Sequence, residues 1–301
     1  MIKTLPLIFS KHSHCGFLIT CVIKREKSAT KEAISILEKF SGPIVAGGHG
    51  TLAKNENKIG TKRRKICTED IDGENLEGRE RNAATNYLKD EMKPDTGIDR
   101  APGLSLVKLT RSGLLLFTFP RTKSPDTVAI VSNIIQSLQS GSSSSLIWCH
   151  RVFPIQATCC LNEKELWTVV SNLVQKFVND KKNQLGRPVK FAVGYNRRGI
   201  EDTELKIRKD NSEGASSLPL LDRNKCFGIV AAAVKDAVED SVVDLKSPEL
   251  SVLVELLPVS GIPKESLVVA VSVLPGNLVS TKPRLCIKAL VSNTKEGTGL
   301  P

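Results

Sequence analysis

The 301 residues include 43 Lys and Arg against 32 Asp and Glu, a formal charge of +11 with a pI near 9.3, and are 40% hydrophobic but only 4% aromatic. Length predicts about two domains of roughly 100–200 residues with aliphatic cores, and the basic excess favours a polyanionic partner held by phosphate neutralisation and counterion release. No apolar run reaches the ~18–20 residues of a membrane helix; none of the eight cysteines forms a C-x-x-C pair, which fits free thiols in a reducing compartment and a soluble intracellular protein.

Residues 16–23 form an apolar, β-branched run of strand length. Ala29, Ala33, Ile36, Leu37 and Phe40 then recur at helical spacing, which predicts a helix capped by Ser28 and stopped by Gly42-Pro43. From 46 to 102 no apolar period is sustained. Between Lys54 and Arg100 the 11 basic residues equal the 11 acidic ones, so the whole +11 excess lies elsewhere in the chain. A patternless stretch of this length is expected to be a disordered insertion. Within it, Lys62-Arg63-Arg64-Lys65 is a basic cluster of nuclear-localisation type, although a merely solvated charge run has the same composition.

Order resumes with apolar runs at 104–110 and 113–119, which flank Arg111-Ser112-Gly113 as a hairpin. Pro125 and Asp126 open a helix with Val128, Val131, Ile134, Ile135 and Leu138 on one face, and 146–153 forms the next strand. Without the insertion, residues 16–153 read β-α-β-β-α-β, the order of a ferredoxin-like α/β sandwich.

After Pro154 the pattern restarts. Leu166, Val169, Val170, Leu173, Val174 and Phe177 mark an amphipathic helix, with Asn162 as cap and Glu165 as its capping-box partner. Residues 188–195 form a strand, 220–238 a second helix, and 250–257 and 267–274 two further strands, giving α-β-α-β-β. The fold class is therefore mixed α/β, with one part at 16–153 carrying the 46–102 insertion, a second at 154–276, and a loose tail at 277–301.

The chemistry of catalysis is hard to find. Gly47-Gly48-His49-Gly50 opens onto the patternless stretch rather than a helix, and no Walker-type lysine accompanies it, so a phosphate loop is not expected. His12, His14, Cys15 and Cys21 fit no zinc spacing, and Cys159-Cys160 are adjacent, so no metal or cofactor is expected. Cys159 with His150 is the one nucleophilic arrangement conceivable, and it lacks a third, orienting group. What remains is cationic charge on patterned segments: Arg151 at a strand end, Lys190 within a strand, Arg197 and Arg198 directly after it, then Lys206, Arg208 and Lys246. Arginine supplies a planar fork for phosphate and lysine a point charge, as recognition of a structured RNA backbone requires.

Four stretches of the second half, Arg151–Cys159, Lys190–Arg198, Val242–Pro248 followed by Val252–Glu255, and Val268–Leu274, resemble the THUMP domain of the tRNA acetylation adaptors. Gly16–Cys21 is similar to the start of the same proteins. The resemblance implies a ferredoxin-like part and a THUMP part that together bind tRNA. It further implies a non-catalytic adaptor for N4-acetylcytidine formation in the D-arm of serine and leucine tRNAs, with an RNA cytidine acetyltransferase as partner and residence in the nucleus or nucleolus as well as the cytoplasm. Other THUMP proteins carry a fused catalytic domain, which the residues after 276 are too few to form. On this reading Arg151, Lys190, Arg197, Arg198, Lys206, Arg208 and Lys246 bind RNA, while Asp244, Pro248 and Cys159 serve the fold. Two rival readings stand beside it: an RNA-modifying enzyme in its own right, and a general RNA-binding protein of ribosome assembly.

Overall fold

A computed structural model of the chain describes residues 13–41, 103–120, 122, 124–143, 145–200, 222–261 and 267–290. The expected insertion at 46–102, with its basic cluster, lies outside the described residues.

The first half follows the order expected of it: β1 (Gly16–Cys21), α1 (Glu26–Ser41), β2 (Ser105–Val107), β3 (Leu114–Thr118), α2 (Thr127–Gln139) and β4 (Cys149–Ile155). The four strands lie in the order β2-β3-β1-β4, all antiparallel. That is the ferredoxin-like arrangement. Gly16 is needed at the start of β1, because a Cβ there would run into the carbonyl of Phe117 on β3. Helix α1 starts at Glu26, ahead of the expected Ser28 cap, because Glu26 itself is fastened: its Oε1 accepts the N–H groups of Gly113 at 2.8 Å and Lys24 at 3.3 Å. Helix α2 is capped as expected, with Asp126 accepting from Val128 and Ala129. The strand expected over 104–110 is shorter. It pairs with β3 only from Ser105 to Val107, and Leu109 then bridges to Val259 in the second half.

The second half comprises β5 (Ala157–Cys160), α3 (Glu163–Asn179), β6 (Val189–Asn196), α4 (Arg223–Ala237), β7 (Ser241–Val243), β8 (Leu250–Leu257) and β9 (Val268–Pro275). They form one sheet in the order β5-β9-β8-β6-β7, with β6 parallel to both neighbours and the other pairs antiparallel. Asn162 caps α3 and Glu165 reaches back, though to the N–H of Cys160 rather than to that of the cap itself. Asn162→Ala is expected to cost about 0.5–2 kcal/mol of stability, read from a urea unfolding midpoint.

Two features depart from the expected division of the chain. Pro154, read as a break, lies inside β4. Its carbonyl accepts the Ser272 hydroxyl instead of pairing with β1, and in an antiparallel strand a residue's N–H points to the same side as its C=O. The missing N–H therefore falls on the side away from β1, where proline costs no ladder bond. Only Gln156 separates β4 from β5, so a nearly continuous run passes from one sheet into the other. The segment expected to be a loose tail is, through Leu290, a short hairpin of β10 (Val279–Ser280) and β11 (Cys286–Ile287). Leu278, Val279, Ile287 and Leu290 are buried; residues 291–301 lie outside the described residues.

Burial explains both departures. One core, including Leu166, Val170, Phe191, Val234 and Val254, fills the space between α3, α4 and one face of the second sheet. The other gathers β1, β3, β4, α1 and α2 with the opposite face of that sheet (Leu253, Leu257, Leu274) and with Leu278 and Ile287 of the hairpin. Strand β8 is thus buried on both faces, which is why it reads as an unbroken apolar run. Residues 16–153 and 154–276 share a core and are not separable bodies.

Candidate nucleic-acid interface

Where β1 and β4 pair, Thr20 lies opposite Arg151 but Cys21 lies opposite Cys149, so His150 is an extra residue in β4. Such a bulge re-aims the side chains beside it. The His150 carbonyl accepts the N–H of Leu290 at 2.8 Å, and Nε of Arg151 donates to the Ile287 carbonyl at 3.1 Å. The hairpin therefore seats Arg151.

Lys246 arrives from the other side, on the turn between β7 and β8. Asp244 organises that turn by accepting the N–H groups of Lys246 at 2.8 Å and Ser247 at 3.0 Å, and these bonds hold its carboxyl below the usual range. Arg151, Lys246 and Lys288 line one cleft of about 780 Å³, together with Ser247, Ser280 and Thr281. No acidic side chain is among the described residues lining it.

The remaining candidates divide. Nζ of Lys190 stands 4.0 Å from Asp244 beside the cleft's turn, without lining the cleft. Arg197 and Arg198 follow the far end of β6, about 20 Å along the strand from Lys190. Arg198 (φ +50°) and Gly199 (φ +79°) make a left-handed turn there, and Arg111 of the β2–β3 loop packs against Gly199. Arg197 lies near Asp222, the cap of α4, and helps hold its carboxyl low after the Lys225 and Asn224 N–H groups. Arg198 turns inward. Its Nε is 2.6 Å from Oε2 of Glu255, and its guanidinium lies 4.3 Å from the Phe153 ring centroid. Burial pushes Glu255 above the usual carboxylate range, against the pull of Arg198 and Asn196. Lys206 and Arg208 lie outside the described residues.

Lys288 and Arg284 were not among the sequence-derived candidates, because they fall in the segment read as tail. Arg284 acts with Arg151 and Arg198 on the Cys286 thiol, whose pKa is nonetheless raised by burial. The sequence signal was present in Lys282, Arg284 and Lys288, three cations in seven residues. Cys159 is buried in β5, and burial pushes its thiol up to about 12, so it holds its proton at neutral pH. Among the described residues no group of three or more His, Cys, Asp and Glu is placed to hold a metal ion, and no helix is long and apolar enough to cross a membrane.

Neither a protein-family model nor a curated protein matches the sequence. Among solved structures, a 4-thiouridine synthetase in complex with RNA and bound ATP is similar at 10% identity and a TM-score of 0.28, over 56% of this chain. The similarity covers 33% of the synthetase, so the chain spans only a third of that protein's length. Similarity of this degree establishes neither a shared fold nor a shared activity.

Proposed function

We propose that the chain is a tRNA-binding adaptor without catalysis of its own, which presents tRNA to an RNA cytidine acetyltransferase for N4-acetylcytidine formation in the D-arm of serine and leucine tRNAs. One observation carries the RNA part: Arg151, Lys246 and Lys288 come from three separate segments and converge on a cleft free of acidic lining. Cations that meet by folding are the donors a phosphate backbone takes up. Lys190, Arg197 and Arg284 do not line the cleft, and Arg198 is engaged within the protein. The words tRNA, acetyltransferase and adaptor rest on the THUMP-like motifs at Arg151–Cys159, Lys190–Arg198, Val242–Glu255 and Val268–Leu274. Nuclear or nucleolar residence belongs to the same reading.

The test of binding is the triple variant Arg151→Ala, Lys246→Ala, Lys288→Ala. Each phosphate contact contributes about 0.7–0.9 to the slope of log K against log salt, so the slope should fall by roughly 2–3 along with the affinity for tRNA. An unchanged affinity and slope would overturn the assignment. For the adaptor, purified protein with tRNA and acetyl-CoA should form no acetylcytidine until the acetyltransferase is added; product without it would make the chain an enzyme. Loss of the chain in cells should remove N4-acetylcytidine from serine and leucine tRNAs, whereas unchanged levels favour a general RNA-binding role.

A further inference from the structure

Outside the cleft, a half-buried aromatic side chain packed against the shared core carries a cation beside its ring. Trp148 immediately precedes β4, and the guanidinium of Arg25 lies 5.4 Å from its ring centroid. Arg25 is exposed and Trp148 partly so. Ile23 and Ile147 beside them are 62% and 67% exposed, a degree that neither core explains. The backbone beneath is pinned. Glu32 accepts the N–H groups of Ile147, Trp148 and Cys149 at 2.7, 2.9 and 2.7 Å, and the N–H of Val22 donates to the Trp148 carbonyl at 3.0 Å.

Those bonds also fix where the nearby acids point. The carboxylates of Glu26 and Glu32 are both turned to backbone N–H groups, while Lys24, Arg25 and Lys27 are exposed. The patch is therefore apolar and aromatic with a cationic rim. Trp148 is also only three residues before Arg151, the third residue of β4, about 10 Å of extended chain. The bulged residue between, His150, is bonded to Leu290, which lines the cleft.

We propose that Trp148 and Arg25 form a stacking platform for an unpaired nucleobase of the RNA whose backbone occupies the Arg151–Lys246–Lys288 cleft. This rests on the RNA-binding reading above. A base stacks on an aromatic ring or on a guanidinium plane whatever its sequence, and the flanking isoleucines shield such a stack from water. The cationic rim favours this occupant over an apolar protein segment, because a nucleotide brings its own phosphate to Lys24 and Lys27.

The test uses the two tryptophans of the chain, Trp148 and Trp167. In a Trp167→Phe protein all tryptophan emission comes from Trp148. A short unpaired RNA should quench it saturably, with the midpoint that anisotropy of the labelled RNA gives, whereas inorganic polyphosphate should bind without quenching. Trp148→Ala should weaken unpaired RNA roughly tenfold or more and leave the salt slope unchanged, since stacking releases no counterions. Trp148→Phe should restore most of the affinity. Should Trp148→Ala fail to fold, judged by its melting curve, the emission and Trp148→Phe measurements decide instead. RNA binding by anisotropy with flat Trp148 emission overturns the platform and spares the cleft. No RNA binding at all overturns both. Emission that shifts with protein concentration alone makes the patch a self-association surface and overturns the platform.

Discussion

Replacing Glu255 with alanine is expected to cost about 3–5 kcal/mol of folding stability, because it leaves the Arg198 guanidinium largely buried without its counter-charge. The carboxylate is 3% exposed, lies 2.6 Å from Arg198 and also accepts from Asn196 Nδ2 at 3.3 Å. Arg198 is 13% exposed and leaves one guanidinium nitrogen, Nη2, without a hydrogen-bond partner. Glu255 lies on the face of β8 that joins the shared core, between Leu253 and Leu257, and Phe153 of β4 lies under the guanidinium. The pair therefore sits where the two halves meet. Replacing both members, as Glu255→Leu with Arg198→Met, should recover most of the loss, since an apolar pair of similar volume removes the desolvation cost altogether. Urea unfolding of Glu255→Leu, Arg198→Met and the double variant measures the coupling directly. Additive losses would show that the pair is not coupled and that Arg198 is better regarded as available to RNA.

Ile287→Ala should cost about 2–5 kcal/mol and, unlike other core truncations, should also weaken RNA binding. The side chain is fully buried in the shared core, and the carbonyl of the same residue holds Arg151 Nε. A cavity at this position loosens the hairpin that carries Lys288 and seats Arg151 in the cleft. Leu166→Ala is the control: it is as deeply buried, but in the core between α3, α4 and the sheet, remote from the cleft. At a temperature where both variants remain folded, Leu166→Ala should bind RNA as the parent does and Ile287→Ala should not. Equal affinities for the two would mean that the hairpin stabilises the fold without shaping the cleft.

The candidate site was half legible before folding. Arg151 and Lys246 were singled out as cations on patterned segments, and both line the cleft. Lys288 was missed because two-residue strands carry no periodicity to detect. The inward turn of Arg198 was equally hidden, since its partner Glu255 is 57 residues away and lay in a run read as an ordinary strand. Trp148 drew no notice for the same reason: its neighbour Arg25 is remote in sequence.

Local periodicity by itself determined the four described helices and the β-α-β-β-α-β order of the first half, because each depends on spacing within a dozen or so residues; β5 and β7, absent from the α-β-α-β-β order expected of the second half, are only four and three residues long and carry too little pattern to detect. The caps at Asp126 and Asn162 were legible for the same reason. Tertiary structure alone decided that the second sheet is covered on both faces, that Pro154 continues a strand, and that residues 277–290 belong to the shared core. Burial of a face depends on what arrives from far along the chain. A proline breaks a strand only where its missing N–H is needed, and the place where cations meet is set by which segments pack together.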